Sequence, residues 1–237
     1  MRVMKEKDLY QLTFMPKLFP INCYLIDEGD GLTLIDAALP SSIDGIMNTV
    51  KDIGKPITRI VITHAHNDHV GSLDLIKDQF PEATVYISRR DARLLERDFS
   101  TDKNEPSPPK KSGVPKALKT QPNETLVDGN QIGSLLAIET PGHTPGSMAF
   151  LDTRTGTLIA GDAFQNRGGF AVTGQLRLAF PFPAFATWNK HQALESAKKL
   201  SHYNPNLLAV GHGDLVRAPA KKIAEAIKEA QRNLEKK

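Results

Sequence analysis

The sequence of 237 residues predicts a layered α/β fold, because the same order of elements occurs twice along the chain. In each half, two short apolar runs typical of a hairpin precede a segment with helical periodicity, and a buried strand follows. Each of these last strands leads directly into a segment that contains histidine. The duplicated order predicts two sheets packed face to face, with the helices on the outside.

The first half begins with a predicted hairpin between the apolar runs 21–26 and 32–35. These runs flank Glu28-Gly29-Asp30-Gly31, whose glycines suit the positive φ angles of a tight turn. Residues 57–62 predict a buried strand, and residues 73–80 predict a weaker helix.

A stronger helix is predicted between this hairpin and the buried strand. Ser41 is its expected N-cap, and Gly54, followed by Pro56, marks its end. Its apolar face consists of Ile43, Ile46, Met47, Val50 and Ile53.

The second half repeats the order of elements. Residues 135–138 predict a strand, residues 148–151 and 157–160 a hairpin, residues 188–200 a helix, and residues 207–210 a final strand. The polar segments that follow the strands of the two halves are therefore expected to lie at adjoining sheet ends.

A single domain covering residues 1–237 is expected, with one long insertion between the halves. Residues 98–123 contain five prolines and five lysines, a composition that resists regular structure. Long loops of this kind are either functional or disordered, so the segment is a lid over the site or a surface loop without a role.

A second insertion, residues 163–185, carries five of the ten phenylalanines. It predicts either a wall that binds an acyl group or a small core of its own. Because the segment directly follows Asp162, we favour substrate contact, through the residues Phe164, Arg167, Phe170 and Arg177.

Composition narrows the function further. The net charge of +3 is small, and the sequence contains no basic stripe interleaved with aromatic residues. We therefore expect no nucleic-acid partner. The one cysteine, Cys23, lies in an apolar run and predicts a buried thiol in a reducing compartment. The N-terminus lacks a signal core and no long uncharged apolar segment occurs, so we expect a cytoplasmic protein without membrane contact. The sequence leaves the oligomeric state open.

Histidines and aspartates follow the ends of several predicted strands. The segment His64-Ala65-His66-Asn67-Asp68-His69 comes directly after an apolar run, and each of three later donors follows a glycine. A solitary histidine is more often structural, and His191 and His202 fit that interpretation. The predicted metal ligands are His64, His66, Asp68, His69, His143, Asp162 and His212.

This donor set predicts a pair of metal ions. Imidazole and carboxylate suit zinc, iron or manganese, and seven donors exceed what one tetrahedral ion requires. Asp162 can bridge two ions, which lower the pKa of a shared water and yield hydroxide near neutral pH. Asp68 is expected to orient that nucleophile. Asp36, which also ends a strand, is expected to hydrogen-bond a ligating imidazole rather than to bind metal.

These motifs resemble those of the metallo-β-lactamase-fold hydrolases. The matching residues are Thr63 to Gly71, the loop Pro141-Gly142-His143-Thr144-Pro145-Gly146-Ser147 and Gly161-Asp162. The resemblance covers most of the chain. It implies a four-layer αβ/βα sandwich of two mixed sheets, with His64, His66 and His143 on one metal, Asp68, His69 and His212 on the other, and Asp162 between them.

Within that superfamily the pattern is most similar to glyoxalase II-like thioesterases and N-acyl homoserine lactonase-like enzymes. Asp162 stands where many true β-lactamases carry cysteine or serine. The chain differs from glyoxalase II in lacking an evident basic C-terminal glutathione domain. It also carries Ala163-Phe164 after Asp162, which offers no obvious group to polarise a lactone carbonyl.

We therefore expect a hydrolase with two divalent ions, preferably zinc, whose hydroxide attacks an ester, thioester or lactone carbonyl of a small molecule. One alternative is an oxidoreductase similar to the persulfide dioxygenases, with a single iron and three protein ligands. The other alternative is a phosphodiesterase on the same fold, because paired metals also stabilise in-line displacement at phosphorus.

Overall fold

The computed structural model describes residues 1–236, and two mixed β-sheets form its centre. Within this range the first sheet has seven strands that lie side by side in chain order. They are β1 (Arg2–Glu6), β2 (Leu9–Phe14), β3 (Ile21–Asp27), β4 (Leu32–Ile35), β5 (Ile57–Val61), β6 (Thr84–Ser88) and β7 (Glu124–Leu126).

The first four strands of this sheet are antiparallel, whereas β4 to β7 run parallel to one another. Parallel neighbours need crossover connections, and helices fill these connections. The helices are α1 (Ile43–Ile53), α2 (Asn67–Val70), α3 (Leu73–Gln79) and α4 (Arg89–Leu95).

The second half supplies the remaining strands and helices. Its strands are β8 (Gln131–Ile132), β9 (Leu135–Glu139), β10 (Met148–Asp152), β11 (Thr157–Ile159), β12 (Phe164–Gln165), β13 (Ala171–Val172), β14 (Leu207–Ala209) and β15 (Val216–Arg217). Its helices are α5 (Phe182–Ala186), α6 (Lys190–Ser201) and α7 (Ala220–Glu235). In the described chain, six of these strands form the second sheet in the order β15-β14-β11-β10-β9-β8, and β12 pairs with β13 alone.

The alternation of side chains along the strands separates three apolar clusters in the described residues. In β3, Leu25 points to an outer cluster that contains Ile46 of α1, whereas Ile26 belongs to the cluster between the sheets. Leu208 of β14 belongs to a second outer cluster with Ala197 of α6. Helices therefore cover both outer faces, and the four-layer arrangement is the one that the sequence predicts.

Both predicted hairpins and the predicted strand before each histidine segment are present, although their ends differ by a residue or two. Gly54 ends α1 with a φ of 78°, as the sequence predicts. The prediction of Ser41 as the N-cap is wrong. The chain enters α1 through a 3-10 turn, Pro40–Ser42, and the N-cap residue Ser42 makes no capping hydrogen bond.

The predicted helix 188–200 begins later than expected. Asn189 is its N-cap, and the Asn189 side chain accepts hydrogen bonds from the backbone N–H groups of His191 and Gln192. Trp188 lies before the helix, and its indole nitrogen donates to the carbonyl oxygens of Ser107 and Pro108, both at 3.1 Å.

The two insertions differ from each other. Residues 98–123 contain neither helix nor strand, as their composition predicts, whereas residues 163–185 include β12, β13 and most of α5. Cys23 is buried, as predicted. Among the helices of residues 1–236, none combines the length and the apolar character needed to cross a membrane.

Candidate metal centre

The predicted donors converge where parallel strands of both sheets end. Asp36 follows β4, and the segment from His64 to His69 follows the adjacent parallel strand β5. In the second sheet, Asp162 follows β11 and His212 follows the parallel strand β14. Because the carboxyl ends of parallel strands share one edge, chain segments far apart in sequence meet there.

The loop with His143 completes this edge, because it connects the antiparallel strands β9 and β10. Main-chain hydrogen bonds join the two sheets beside the site. The Met148 N–H donates to Thr63 O at 2.9 Å, and the Asn22 N–H donates to Gly211 O at 2.9 Å. The backbone thus fixes the distance between the two halves at the donors.

The seven predicted ligands form three overlapping groups whose donor atoms lie within 4.8 Å of one another. All of them are buried except Asp68, whose side chain keeps 24% of its surface exposed. The groups are His64, His66 and His143; His64, His69 and Asp162; and Asp68, His69 and His212.

Three imidazole nitrogens converge in the first group. His66 Nδ1 lies 3.1 Å from His64 Nε2 and 3.0 Å from His143 Nε2. Burial holds the pKa of His64 well below its ordinary value of 6.5 and lowers the pKa of His66 to about 3 and that of His143 to about 4. Tetrahedral zinc at its usual distance from nitrogen keeps ligand nitrogens about 3.3 Å apart, so three neutral imidazoles in this arrangement suit a metal ion.

Carboxylates dominate the other side of the site. Burial lowers the pKa of His69, but the carboxylates of Asp36, Asp162 and Asp68 outweigh burial and raise that pKa to about 10. Burial also lowers the pKa of His212, but the carboxylates of Asp162 and Asp68 outweigh burial and raise that pKa above its ordinary value of 6.5. This side attracts positive charge, which a divalent cation can supply in place of protons.

Two buried atoms at the centre lack partners. His69 Nε2 and Asp162 Oδ1 have no hydrogen-bond partner among residues 1–236, although they lie only 3.6 Å apart. Unpaired buried polar atoms are costly unless a ligand or an ion satisfies them. Gly211 permits this proximity, because a Cβ there would lie 2.1 Å from Asp162 Oδ1. The donor set therefore fits a bound cation.

For three of the five imidazoles, neighbouring groups fix which nitrogen faces the centre. His69 Nδ1 donates to Asp36 Oδ2 at 2.7 Å, and His212 Nδ1 donates to Pro20 O at 2.7 Å. His143 Nδ1 lies 3.1 Å from Thr173 Oγ1. These contacts occupy Nδ1 and leave the Nε2 lone pairs free for a metal.

Asp36 lies outside all three donor groups. Its carboxylate accepts hydrogen bonds from the backbone N–H and from the hydroxyl of Thr63, both at 2.8 Å, in addition to the bond from His69. The residue therefore connects the end of β4 to the start of the histidine segment.

Asp91 has a structural role at the site that the sequence does not predict. This fully buried carboxylate in α4 accepts hydrogen bonds from the Ala65 N–H at 2.9 Å, the Thr144 hydroxyl at 2.7 Å and the Gly146 N–H at 2.8 Å. It joins the loop of His64 and His66 to the loop of His143. The only local signal is its place three residues after Ser88, whose hydroxyl caps α4.

A cavity of about 440 Å³ opens at the donors. His66, Asp68, His143, Asp162 and His212 form one part of its wall, and Ser112 and Gly113 of the long insertion contribute to it. Most of the remaining wall is apolar, from Met15, Phe19, Ile21, Leu39, Phe182, Pro183, Phe185 and Ala186. No lysine or arginine of residues 1–236 lines this cavity.

The structure places the four predicted substrate contacts outside this wall. Phe164 is fully buried and stacks on Phe170, with ring centroids 5.6 Å apart. Arg177 forms an ion pair with Glu229 of α7 at 2.7 Å, and Arg167 donates to Lys17 O at 2.5 Å. The insertion faces the cavity instead through the helix α5, where Phe182 and Phe185 are exposed.

The family model described as the metallo-beta-lactamase superfamily matches residues 16–212. The chain belongs to the metallo-β-lactamase superfamily. All seven predicted ligands of this superfamily member lie inside the matched range, which ends at His212. The duplicated sheets and the site at their shared edge agree with this assignment.

Curated relatives of this superfamily member include two proteins of Bacillus subtilis. The uncharacterized protein YobT is 56% identical over 98% of this chain and 100% of its own length. The probable metallo-hydrolase YflN is 30% identical over 81% of this chain and 80% of its own length. A hydroxyacylglutathione hydrolase of Synechococcus is 24% identical over 62% of this chain and 50% of its own length.

Solved structures of other proteins share the fold. The DIM-1 metallo-β-lactamase superposes with a TM-score of 0.71 over 97% of both chains, at 17% identity. TTHA1623 in a di-iron-bound form gives a TM-score of 0.66 over 90% of this chain and 96% of its own, at 23% identity.

Proposed function

We propose that this protein is a binuclear metal-dependent hydrolase that cleaves an ester, thioester or lactone bond of a small molecule. The observation that carries the proposal is the convergence of five buried imidazoles and two carboxylates, of which three imidazoles and both carboxylates line one cavity. Curated relatives described as metallo-hydrolases support the same reaction class.

We assign one ion to His64, His66 and His143 and the other to Asp68, His69 and His212, with Asp162 between them. The position of Asp162 supports this assignment, because its Oδ2 lies 3.3 Å from both His143 Nε2 and His212 Nε2. When bound, the ions supply an activated water as nucleophile and polarise the carbonyl oxygen under attack. Zinc suits the nitrogen and oxygen donors, and iron remains an alternative that the di-iron form of TTHA1623 supports.

Asp68 is the carboxylate that we assign to orienting the attacking water. Burial raises its pKa, but His69 and His212 outweigh burial and hold that pKa below the ordinary value of 3.8. Asp68 is therefore ionised at neutral pH, and it lines the cavity with part of its side chain exposed. It can accept a hydrogen bond from the attacking water and thereby orient that water toward the carbonyl carbon.

The cavity wall supports a substrate with an uncharged, apolar substituent next to the carbonyl group. Phe19, Phe182 and Phe185 lie on one side of the donors, and no cation lines the wall within residues 1–236. An anionic phosphodiester would find no positive side chain there to contact. For this reason we rank phosphodiester cleavage second to carbonyl chemistry.

A persulfide dioxygenase with one iron would use only three of the seven donors. It would leave Asp68, His212 or a further donor without a metal, and burying such unpaired groups is costly. Oxygen uptake separates the two reactions, because hydrolysis consumes none.

The direct test measures bound metal and turnover together on a panel of lactones, thioesters, aryl esters, β-lactams, phosphodiesters and a persulfide. We expect turnover of one or more of the carbonyl substrates without oxygen uptake. His66→Ala and Asp162→Ala should each lose bound metal and turnover, because each removes a donor from the centre.

His191→Ala is the matched control, because His191 is exposed on α6 and belongs to none of the donor groups. This variant should keep both the metal and the activity of the natural sequence. Full activity in metal-free protein, or oxygen consumption with a persulfide and one iron per chain, would refute the proposal.

A further inference from the structure

Polar side chains replace apolar ones on the inner face of the first sheet as β2 and β3 approach the site. Leu9 and Ile26 form the far end of this face, and both belong to the apolar cluster between the sheets. Toward the site the same face carries Gln11 beside Tyr24, and then Asn22. Buried amides are unusual inside an apolar core, so these positions need a specific reason.

The three polar side chains all bind the loop that carries His212. Asn22 Nδ2 donates to Val210 O at 2.8 Å and to Gly213 O at 2.7 Å. Tyr24 donates its hydroxyl to Val210 O at 2.6 Å, and Gln11 Nε2 donates to Gly213 O at 3.0 Å. Carbonyl oxygens on both sides of His212 are thus held by side chains from the other sheet.

The same two amides leave their own oxygens unsatisfied. Gln11 Oε1 and Asn22 Oδ1 are buried and have no hydrogen-bond partner within residues 1–236. The N–H groups of both amides donate to carbonyl oxygens of the His212 loop. A rotation that exchanged the amide nitrogen and oxygen would therefore break these hydrogen bonds. Each amide thus holds the loop through its nitrogen, although its own oxygen stays without a hydrogen bond.

Other contacts to this loop come from the backbone of both halves. The Gly211 N–H donates to Gly161 O at 2.8 Å, and the Asn166 N–H donates to His212 O at 2.9 Å. The Asn22 N–H donates to Gly211 O at 2.9 Å. Loss of the side-chain bonds would therefore shift His212 while the loop stays attached.

We propose that Gln11, Asn22 and Tyr24 are positioning residues that set the location of His212 and thereby the affinity for one of the two metal ions. The three side chains form a clamp from the first sheet onto the His212 loop. This inference rests on the two-metal centre of the proposed function. Because the clamp touches no donor of the group His64, His66 and His143, it acts on the ion of His212 alone.

The test is a calorimetric titration of metal-free protein with Zn²⁺, which resolves the two binding steps. Asn22→Ala removes the amide that makes two hydrogen bonds to the His212 loop. Tyr24→Phe removes only a hydroxyl and preserves the shape of the core. We expect Asn22→Ala to weaken one Zn²⁺ site tenfold to a hundredfold, which is about the effect of losing a residue that orients a metal ligand. Tyr24→Phe should weaken the same site by a smaller factor.

Thr33→Val is the matched control. It removes a buried hydroxyl from β4 of the same sheet, at the end away from the site, where Thr33 bonds Glu28 Oε1 at 3.3 Å. A loss of stability alone would weaken both Zn²⁺ sites together and would occur in this control as well. A selective loss of one site is therefore a readout that a purely structural role does not produce.

The outcomes separate this inference from the proposed function. Natural protein that binds two Zn²⁺, with Asn22→Ala and Tyr24→Phe binding both equally well, overturns the clamp and leaves the hydrolase proposal intact. Natural protein that binds fewer than two Zn²⁺ overturns both. Selective loss of one site in Asn22→Ala, with two intact sites in Thr33→Val, supports the clamp.

Discussion

Individual hydrogen bonds decide which nitrogen of His69, His143 and His212 is free at the centre. Asp36 is the clearest example, because its carboxylate accepts from His69 and from the backbone and hydroxyl of Thr63. Carboxylates that hold a ligating imidazole fix its orientation and increase its basicity. Loss of Asp36 should therefore weaken metal binding almost as much as loss of a ligand, although Asp36 belongs to none of the three donor groups.

Replacing Asp36 with alanine tests this role. We expect the affinity for the ion bound by His69 to fall about tenfold to a hundredfold, because the imidazole loses the partner of Nδ1. Zn²⁺ titration of the metal-free variant measures the loss. Asp30→Ala, at an exposed position in the turn after β3, is the control and should bind as the natural protein does. Unchanged affinity in Asp36→Ala would show that His69 needs no such support.

Phe185 tests the apolar wall at the scale of one side chain. It lines the cavity and keeps 67% of its surface exposed, so truncation should leave the fold intact. Phe185→Ala should lower kcat/KM about fivefold for esters with long acyl chains, equivalent to about 1 kcal/mol of lost apolar contact. Short acetate esters should be unaffected.

Leu176→Ala is the comparison for Phe185, because Leu176 is also exposed but lies outside the cavity wall. It should leave the chain-length preference unchanged. Equal losses for acetate and long-chain esters in Phe185→Ala would contradict the assignment of the apolar wall to substrate binding.

Sequence alone was sufficient to select the seven side chains that converge at the centre, because the spacing of their motifs and the glycines before three of them are local signals. It did not find Asp91, Gln11, Asn22 or Tyr24. These residues act through contacts with parts of the chain 26 to 202 residues away, which no local pattern specifies.

At the scale of elements, α4 fixes the two loops that carry the first group of histidines. Burial, opposed by the hydrogen bonds from Thr144, Ala65 and Gly146, raises the pKa of Asp91 to about 6. The ordinary value is 3.8, so between about pH 4 and pH 6 the folded protein binds this proton more tightly than the unfolded chain does. Stability should therefore increase as the pH falls through this window.

The Asp91→Asn variant isolates this effect. In metal-free protein the natural sequence should gain about 2 kcal/mol of unfolding free energy from this group between pH 6 and pH 4, since one bound proton contributes at most about 1.4 kcal/mol per pH unit. Asparagine does not titrate, so the variant lacks this gain and differs otherwise by a constant loss. Denaturant unfolding at several pH values measures the difference, and parallel pH profiles would contradict it.

Strong periodicity predicted the elements that matter most for the site, namely β3, β4, β5, α1, β10, β11 and β14. The strands β1 and β2 were not predicted. Lys5 and Glu6 make the edge strand β1 largely polar, and Gln11, which donates to Gly213 O in the loop after β14, interrupts the apolar pattern of β2. The polar residue in β2 is explained only by its contact with the loop that carries His212.

At the scale of the whole molecule, the fold brings side chains from both halves to one edge, so we expect metal binding to be coupled to folding. A ligand that binds only the folded state stabilises it by about 2.7 kcal/mol per site at a concentration one hundred times its Kd. For a chain of 237 residues, this corresponds to an increase in Tm of about 5 to 10 °C per site.

Thermal unfolding with and without a chelator measures this coupling. We expect Tm to fall on chelation and to recover when Zn²⁺ is added back. His202→Ala, at an exposed position after α6, should show the full fall, whereas Asp162→Ala should show little, because it binds metal weakly from the start. A Tm that is insensitive to chelation in the natural protein would show that the two halves need no metal between them.

The number of ions per chain tests the central claim most directly. Elemental analysis of the purified, metal-loaded protein should find two divalent ions per chain, and His66→Ala should reduce that number together with hydrolysis of carbonyl substrates. A single ion in the natural protein, or none in protein that remains fully active, would contradict the two-metal hydrolase.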